Sequence, residues 1–126
     1  MIKDILIVDD DEDELIFWSS ALDELRIVHT TTWVKNGEDA VKQLQNVIPD
    51  IIFVDYNMPR MNGVKCIYEL KKNVNVGHVP IILHSAGMSE ALKKEGLEAG
   101  AFACIKKPSS LKEFKTVLSD IFMMLS

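Results

Sequence analysis

The amino-acid sequence predicts an α/β protein in which helices cover both faces of a parallel sheet. Short runs of apolar and β-branched residues recur along the chain, which is typical of strands that are buried on both faces. Segments with helical spacing lie between these runs. Strand and helix alternate five times over, which favours one α/β domain with right-handed crossover connections.

Five apolar runs are the predicted strands. In chain order they are Ile5–Val8, Val28–Val34, Ile51–Val54, Ile81–Leu83 and Ala101–Ile105. Each is short and rich in residues that favour strands. A first helix is predicted directly after the first strand, within the segment that follows an acidic run. The later predicted helices are Asn36–Leu44, Gly63–Lys72, Ser89–Glu95 and Ser110–Leu125. A capping residue is predicted for two of them, at Asn36 and at Ser109 or Ser110.

The spacing of apolar residues predicts which face of two helices meets the sheet. In the first helix, one arc carries Phe17, Trp18, Ala21, Leu22 and Leu25. In the last helix, the shared face carries Leu111, Phe114, Val117, Leu118, Ile121 and Leu125. Ile16 and Met123 point away from these faces. Each is therefore either a simple exposed residue or part of a surface that docks a partner protein.

Composition limits the functional classes. The chain has 126 residues and a formal charge of −5, which suits a single domain over residues 1–126 without an output domain. Net acidity argues against nucleic-acid binding, which needs clustered Lys and Arg. No apolar stretch approaches the roughly 20 residues of a membrane span. Cys66 and Cys104 suit free thiols in a reducing compartment, so we expect a cytoplasmic protein with no nucleic-acid or membrane partner.

Acidic residues follow two of the predicted strands. Asp9 and Asp10 come directly after the first strand and Asp55 directly after the third, whereas Asp11–Glu14 suit the N-terminus of a helix. If the two strands are neighbours, their ends lie about 4.8 Å apart and three carboxylates crowd into one pocket. Carboxylates so close repel one another unless a cation neutralises them, and such oxygen ligands suit Mg²⁺. The sequence therefore predicts a magnesium site.

Ser85 and Lys107 follow the fourth and fifth predicted strands, so both should lie on the same rim of the sheet as the acids. Alone, Ser85 suits a turn and Lys107 a solvated surface. A hydroxyl that donates a hydrogen bond and an ammonium that pairs with charge, facing a metal-loaded aspartate, are what a phosphoryl group requires. Together with the three acids, these two residues predict a phosphoryl-transfer site.

Several segments, in this order along essentially the whole chain, resemble the receiver domain of response regulators in two-component signalling. They are Ile5–Asp10, Asp55–Gly63, Ser85–Ala86, Ala99–Ala101 and Lys107–Pro108. The segment around Asp55 is the most specific of them. The resemblance implies a doubly wound, flavodoxin-like fold, with five parallel strands in the order 2-1-3-4-5 flanked by five helices.

The resemblance also implies roles for the site residues. Asp55 would accept a phosphoryl group from a histidine kinase or a histidine phosphotransfer protein, and a downstream protein target would receive the signal. Ser85 and Lys107 would contact the phosphoryl oxygens. The implied Mg²⁺ ligands are Asp9 (through water), Asp10, Asp55 and Asn57 (through its backbone carbonyl).

Two positions depart from the pattern of that family. The family usually carries Tyr or Phe three residues before the lysine, where this chain has Cys104, and Phe102 on the same strand face is a possible substitute. Gly87 stands two residues after Ser85, where the family often has a longer side chain that screens attacking water. The peptide bond Lys107–Pro108 is often cis in the family, although base rates for proline favour trans.

The sequence favours a single-domain response regulator over other function classes. Such a protein is not expected to be an enzyme, although it assists its own phosphoryl transfer and autodephosphorylation. A metal-dependent aspartyl phosphatase typically needs a second Asp two positions after the nucleophile, where this chain has Asn57. A nucleotide-binding enzyme should have a Gly-rich loop after its first strand, and the acidic loop here repels phosphates. A phosphorylation-independent interaction module on the same fold stays open because of Cys104.

Overall fold

The computed structural model describes residue 2 and residues 4–125 of the chain. Its strands are β1 (Asp4–Val8), β2 (Thr30–Val34), β3 (Ile51–Asp55), β4 (Ile81–Ser85) and β5 (Ala103–Lys106). Its helices are α1 (Asp13–Glu24), α2 (Gly37–Gln43), α3 (Gly63–Lys71), α4 (Glu90–Ala99) and α5 (Leu111–Leu125), with a 3₁₀ helix at Val74–Val76. The strands form one parallel sheet in the order β2-β1-β3-β4-β5. The predicted doubly wound fold is confirmed.

Strand register brings the carboxyl ends of the central strands to one edge of the sheet. Val8 of β1 lies opposite Val54 of β3, so Asp9 and Asp55 follow side by side. Asp55 in turn lies opposite His84 of β4. The strand β2 lies on one side of β1, whereas β3, β4 and β5 follow on the other side, so the strand order reverses between β1 and β3. Ligands of open α/β sheets bind at such a reversal.

Two apolar layers fill the space between the sheet and the helices. Alternate residues of β1 enter opposite layers: Leu6 and Val8 pack with α2, α3 and α4, whereas Ile5 and Ile7 pack with α1 and α5. All four side chains are buried. The central strands are therefore covered on both faces, as their unbroken apolar runs indicated.

Capping chemistry marks where three helices begin. Asn36, Asn62 and Ser89 each precede a helix, and their side chains accept a hydrogen bond from the backbone N–H three residues later, at 2.7, 2.9 and 3.1 Å. The fourth helix continues to Ala99, beyond the predicted end at Glu95. It ends there because the chain enters the left-handed region at the following glycine, whose φ is 115°.

Two strands begin later than the sequence predicted. β2 starts two residues after Val28, because the chain turns through left-handed backbone at Arg26 and leaves the Val28 side chain 79% exposed. β5 starts two residues after Ala101, because the Ala101 N–H closes the end of α4 by donating to the Gly96 carbonyl at 2.9 Å.

The predicted buried faces of α1 and α5 are correct except at one residue of each helix, Phe17 and Leu111. Phe17 is 46% exposed rather than turned to the sheet, and its ring stacks on Phe114 with centroids 5.7 Å apart. Leu111 is also exposed, because a side chain at the first helical position points beyond the start of its helix. Ile16 and Met123 are exposed as predicted. Within the described residues, no helix has the length and apolar character needed to cross a membrane.

Candidate functional site

The carboxyl ends of β1 and β3 form a buried acidic pocket that contains one lysine. Asp9 follows β1 and Asp55 is the last residue of β3, and both are almost fully buried. Lys107, in the loop after β5, places its Nζ 3.1 Å from Asp9 Oδ2 and 3.6 Å from Asp55 Oδ2. The structure thus brings together three residues that the sequence predicted for the site.

Backbone amides orient the two carboxylates. The Asp11 N–H donates to Asp9 Oδ1 at 2.9 Å, and the Asn57 N–H donates to Asp55 Oδ1 at 3.3 Å. Each acid therefore holds one oxygen in a local turn. The other oxygen, Oδ2 in both cases, is the one that faces Lys107.

Burial determines the protonation chemistry of the pocket. It raises the pKa of Asp55 to about 6, and the charge of Asp9 adds to this effect while Lys107 opposes it. Burial likewise raises the pKa of Asp9. At Lys107 burial lowers the pKa, but the charges of Asp9 and Asp55 outweigh it and the net pKa is raised. The lysine therefore stays protonated, and Asp55 ionises just below neutral pH.

A third buried acid, Glu14, reaches the same lysine. Its Oε1 lies 3.4 Å from Lys107 Nζ, and its Oε2 has no hydrogen-bond partner among the residues that the structure describes. Burial raises its pKa. From the sequence, Glu14 counted only as one of the acids at a helix N-terminus. Its spacing could have singled it out, because it lies one turn before Trp18 and two turns before Ala21 on the buried face of α1.

His84 is the second site residue that the sequence did not reveal. It is fully buried, and neither ring nitrogen has a hydrogen-bond partner in the described part of the chain. A ring nitrogen and one carboxylate oxygen from each of Asp9 and Asp55 lie within 4.8 Å of one another. Burial and the positive charge of Lys107 lower the pKa of His84 to about 3, so its imidazole is neutral. His84 lies two residues after Ile82 on the same strand, and side chains two residues apart share a face of the sheet. Because Ile82 packs on α1 and α5, this spacing could have indicated that His84 is buried on the same face.

The remaining predicted site residues surround the pocket. Ser85 is buried at the end of β4, and its carbonyl accepts a hydrogen bond from the Lys107 N–H at 2.9 Å, which joins the two loops. Asp10 is exposed, and its negative charge contributes to the raised pKa of Asp55. Asn57 is exposed and contacts the pocket through its backbone N–H.

Cys104 is buried where an aromatic residue was expected. Its Sγ donates to the Lys93 carbonyl at 3.6 Å, so the thiol faces α4. A methyl group added at Gly96 would lie 2.6 Å from the same sulfur, which shows how closely α4 packs against β5. Phe102 precedes β5 and is 44% exposed, so it does not fill the volume of a buried aromatic residue.

Two features of the loops complete the rim. The Ser85 Oγ accepts a hydrogen bond from the Gly87 N–H at 3.2 Å. A methyl group added at Gly87 would meet no atom of the described residues within 4 Å, so this position leaves open space beside the hydroxyl. No peptide bond of the described residues is cis, so Lys107–Pro108 is trans.

The donor set suits a divalent cation. Three buried carboxylates, those of Asp9, Glu14 and Asp55, share one ammonium group, and the exposed Asp10 adds negative charge nearby. Glu14 Oε2 and the His84 imidazole also have no hydrogen-bond partner among the described residues. Oxygen ligands of high charge are those that Mg²⁺ prefers. The residues therefore fit an acidic magnesium pocket.

The fold and the order of these residues along the chain match a known family. A family model for the response regulator receiver domain covers residues 5–119. The chain belongs to the response regulator receiver family. This receiver domain is a signalling module of two-component systems, in which phosphorylation of an aspartate is typical.

Similar proteins share the domain in different contexts. The chain is 26% identical over 118 residues to the probable chemotaxis protein CheY of Rhizobium etli. The match covers 94% of this chain and 91% of that protein. It is 32% identical over 117 residues to histidine kinase P4 of Formosa agariphila. This match covers 93% of this chain and 8% of the kinase. It spans only 8% to 27% of four curated relatives, that kinase among them.

The receiver fold is also evident in solved structures. The chemotaxis protein CheY4 of Vibrio cholerae superposes on the chain with a TM-score of 0.82. The match covers 96% of this chain and 99% of that one at 23% identity. At this level of identity the likeness concerns the fold alone.

Proposed function

We propose that the protein is a response regulator in which Asp55 accepts a phosphoryl group from a histidine kinase or a histidine phosphotransfer protein. The observation that carries the proposal is the 3.6 Å ion pair between Lys107 Nζ and Asp55 Oδ2, at the end of a buried strand. This pair combines a nucleophile with a cation that can meet the charge of a phosphoryl group. A phosphorylation-dependent contact with a downstream protein, or relay of the phosphoryl group, then transmits the signal.

The transfer step uses the ionised carboxylate of Asp55. Because its pKa is about 6, the group is largely ionised at neutral pH. A carboxylate oxygen forms a bond to phosphorus while the P–N bond of the donor phosphohistidine breaks. The donor nitrogen keeps the electron pair of that bond and takes up a proton from water. The product is an aspartyl phosphate.

Two neighbouring side chains bind the new phosphoryl group. The Lys107 ammonium moves from the carboxylate of Asp55 to a phosphoryl oxygen and keeps its charge pairing. The Ser85 hydroxyl, at the end of the adjacent strand, donates a hydrogen bond to another phosphoryl oxygen. The backbone hydrogen bond between Lys107 and Ser85 holds these two groups on one rim.

The acidic pocket is proposed to hold Mg²⁺ through its oxygen ligands. The proposed ligands are Asp10, Asp55 and the Asn57 carbonyl, with Asp9 acting through water. When bound, the ion supplies positive charge to the oxygens of the transferring group. Asp9 has a second task, because its Oδ2 holds Lys107 in the pocket at 3.1 Å.

The phosphoryl group is proposed to act on the surface formed by α4, β5 and α5. Movement of Ser85 and Lys107 towards the phosphoryl group shifts the loops that precede α4 and α5. A protein partner then distinguishes the two arrangements. The exposed apolar side chains of Ile16 on α1 and Met123 on α5 are candidate parts of such a docking surface.

Phosphorylation by a small-molecule donor tests the proposal. Wild type and Asp55→Asn are incubated with Mg²⁺ and acetyl phosphate, and intact masses are measured. We expect the mass of one added phosphoryl group in the wild type and none in Asp55→Asn. No addition in the wild type, or equal addition in both proteins, would contradict the proposal.

A second candidate function is an interaction module that does not depend on phosphorylation. It is favoured by Cys104, because a thiol packed against Gly96 does not sweep the volume of an aromatic side chain. Backbone amide NMR shifts of the free and beryllofluoride-loaded protein separate the two functions. Shift changes that extend from the pocket to α4, β5 and α5 favour the phosphorylation switch, and changes confined to the pocket favour the second candidate.

A further inference from the structure

We propose that the His84 imidazole is a direct metal ligand together with Asp9 and Asp55, and that the pocket therefore binds a divalent first-row transition ion in preference to Mg²⁺. The inference rests on the proposed function, because it concerns the metal pocket beside the same acceptor carboxylate. It assigns that pocket a nitrogen ligand and hence a different preferred class of ion, to which Asp9 binds directly, whereas Asp9 acts on Mg²⁺ through water.

The geometry of the three side chains supports a shared ion. A ring nitrogen of His84 and one oxygen from each of Asp9 and Asp55 lie within 4.8 Å of one another. Ligand atoms on one transition ion lie at most about 4.2 Å apart, which is twice a metal–ligand distance of about 2.1 Å. The 4.8 Å limit exceeds this span by less than about an ångström, so small side-chain movements bring the three atoms within the span of one ion.

Among the described residues, the buried imidazole of His84 has none of the hydrogen bonds that a structural histidine would have. Both ring nitrogens of His84 are without a partner in the described part of the chain, although the side chain is fully buried. The Trp18 ring meets the imidazole in an edge contact, with ring centroids 5.9 Å apart. A buried polar group left unpaired costs stability, so a ligand for one of its nitrogens removes part of that cost.

The identity of the donor atoms determines the ion. Mg²⁺ takes oxygen ligands and keeps several waters, whereas an imidazole nitrogen suits later divalent transition ions such as Co²⁺, Ni²⁺ and Zn²⁺. A pocket lined by oxygen atoms alone would have only a weak preference between Mg²⁺ and a transition ion. One nitrogen and two carboxylates favour the transition ion.

Glu14 provides a place for the lysine when the ion is bound. Lys107 Nζ pairs with Asp9 Oδ2 at 3.1 Å, and an ion bound to the same carboxylate repels the ammonium. Glu14 Oε1 lies 3.4 Å from Lys107 Nζ, and Oε2 has no partner among the described residues. Before a phosphoryl group is present, the ammonium can thus move fully onto Glu14 and remain paired inside the pocket.

Titration with Co²⁺ and Mg²⁺ tests the inference by affinity. The dissociation constants of both ions are measured for wild type, His84→Leu and the surface control His78→Gln. We expect His84→Leu to lower the preference for Co²⁺ over Mg²⁺ by at least about tenfold, since even the loss of an outer-shell partner costs a metal site that much. We expect His78→Gln to keep the wild-type preference. An unchanged preference in His84→Leu overturns the inference.

Proton NMR of the Co²⁺-loaded protein tests the ligation directly. A ligated imidazole gives a strongly shifted, exchangeable ring N–H signal. We expect one such signal in wild type, His29→Gln and His78→Gln, which identifies His84 because the chain has three histidines. This assignment holds even if His84→Leu fails to fold. Absence of the signal in the wild type, or its loss in His29→Gln or His78→Gln, overturns the inference.

Acetyl phosphate labelling with Mg²⁺ on the same preparations separates this inference from the proposed function. If Asp55 is labelled but the imidazole signal is absent, only the ligation by His84 is wrong. If the signal is present but Asp55 is not labelled, the phosphoacceptor role is wrong while the metal site stands.

Discussion

Lys107 Nζ lies 3.1 Å from Asp9 Oδ2, although the two residues are 98 positions apart in the sequence. The contact exists because parallel strands bring the ends of β1 and β5 to the same edge of the sheet. The same ammonium group also meets Glu14 and Asp55. One lysine therefore compensates three buried acids, and the behaviour of the pocket depends on it.

Removal of this lysine should destabilise the protein strongly. Lys107→Ala leaves buried carboxylates without their cation, and breaking a buried ion pair in this way costs about 3 kcal/mol. Lys106→Ala is the matched control, because the neighbouring lysine is exposed and a surface substitution changes stability by less than about 0.5 kcal/mol. Urea unfolding at pH 7 in the presence of a chelator measures both. A Lys107→Ala protein as stable as the control would refute the buried ion-pair arrangement.

The raised pKa of Asp55 predicts how stability depends on pH. A carboxyl whose pKa rises from 3.8 to about 6 on folding stabilises the folded state below pH 4, and this stabilisation is lost as the pH rises through 6. The loss amounts to about 3 kcal/mol at about 1.4 kcal/mol per pH unit.

Asp55→Asn, which cannot ionise, isolates this contribution. We expect wild type and Asp55→Asn to have similar free energies of unfolding near pH 4. Without metal, the variant should become the more stable protein between pH 4 and 7. Chemical denaturation across this range checks the difference, and parallel curves for the two proteins would show that the pKa of Asp55 is not raised.

Addition of Mg²⁺ should stabilise the folded protein, and a tryptophan should report its binding. The Trp33 indole N–H donates to the Asp9 carbonyl at 2.8 Å, so its fluorescence senses the pocket. At a Mg²⁺ concentration ten times the dissociation constant, binding adds about 1.4 kcal/mol to the free energy of unfolding. Asp55→Asn should weaken both effects, and Trp33→Phe should remove only the fluorescence change. A Mg²⁺-independent Tm in the wild type would count against the metal pocket.

The close packing of α4 on β5 predicts an unusual response to a helix-favouring substitution. Gly96→Ala should gain about 1 kcal/mol of helix propensity, but its methyl group would lie 2.6 Å from Cys104 Sγ and 2.8 Å from Leu83 Cδ2. Overpacking of this kind costs about 1–3 kcal/mol, so we expect net destabilisation.

A double-mutant cycle checks that this cost arises at the thiol. The addition of Cys104→Ala should recover part of the stability lost in Gly96→Ala, with a coupling of about 0.5 kcal/mol or more. Gly87→Ala is the control, because a methyl group there meets nothing within 4 Å. Additive effects of the two substitutions would show that α4 does not press on Cys104.

Much of the molecule could be predicted from the sequence because its signals are local. Unbroken apolar runs such as Ile51–Val54 indicated buried strands, and the family resemblance supplied their order. Strand ends at one edge then predicted that Asp9, Asp55 and Lys107 meet. This prediction needs only a parallel sheet, whose strands all end at the same edge, and no knowledge of side-chain packing.

The rest could not be predicted because it depends on which partner faces a residue. Glu14 follows a run of acids that already suit a helix N-terminus, so its buried position was hidden. His84 lies in an apolar strand and its contact with the acids depends on the register between β3 and β4. Phe17 shares an arc with Trp18, but only Trp18 is covered by the sheet. The spacing of apolar residues shows which face of a helix turns to the core. It does not show how many residues of that face the neighbouring elements cover.

The site of phosphoryl addition is the most direct test of the central claim. Wild-type protein is treated with acetyl phosphate and Mg²⁺, reduced with borohydride to trap acyl phosphates, digested and sequenced by mass spectrometry. We expect a single trapped residue, Asp55, with no modification at Asp9 or Asp10. Modification at either of those residues instead, or none at all, would contradict it.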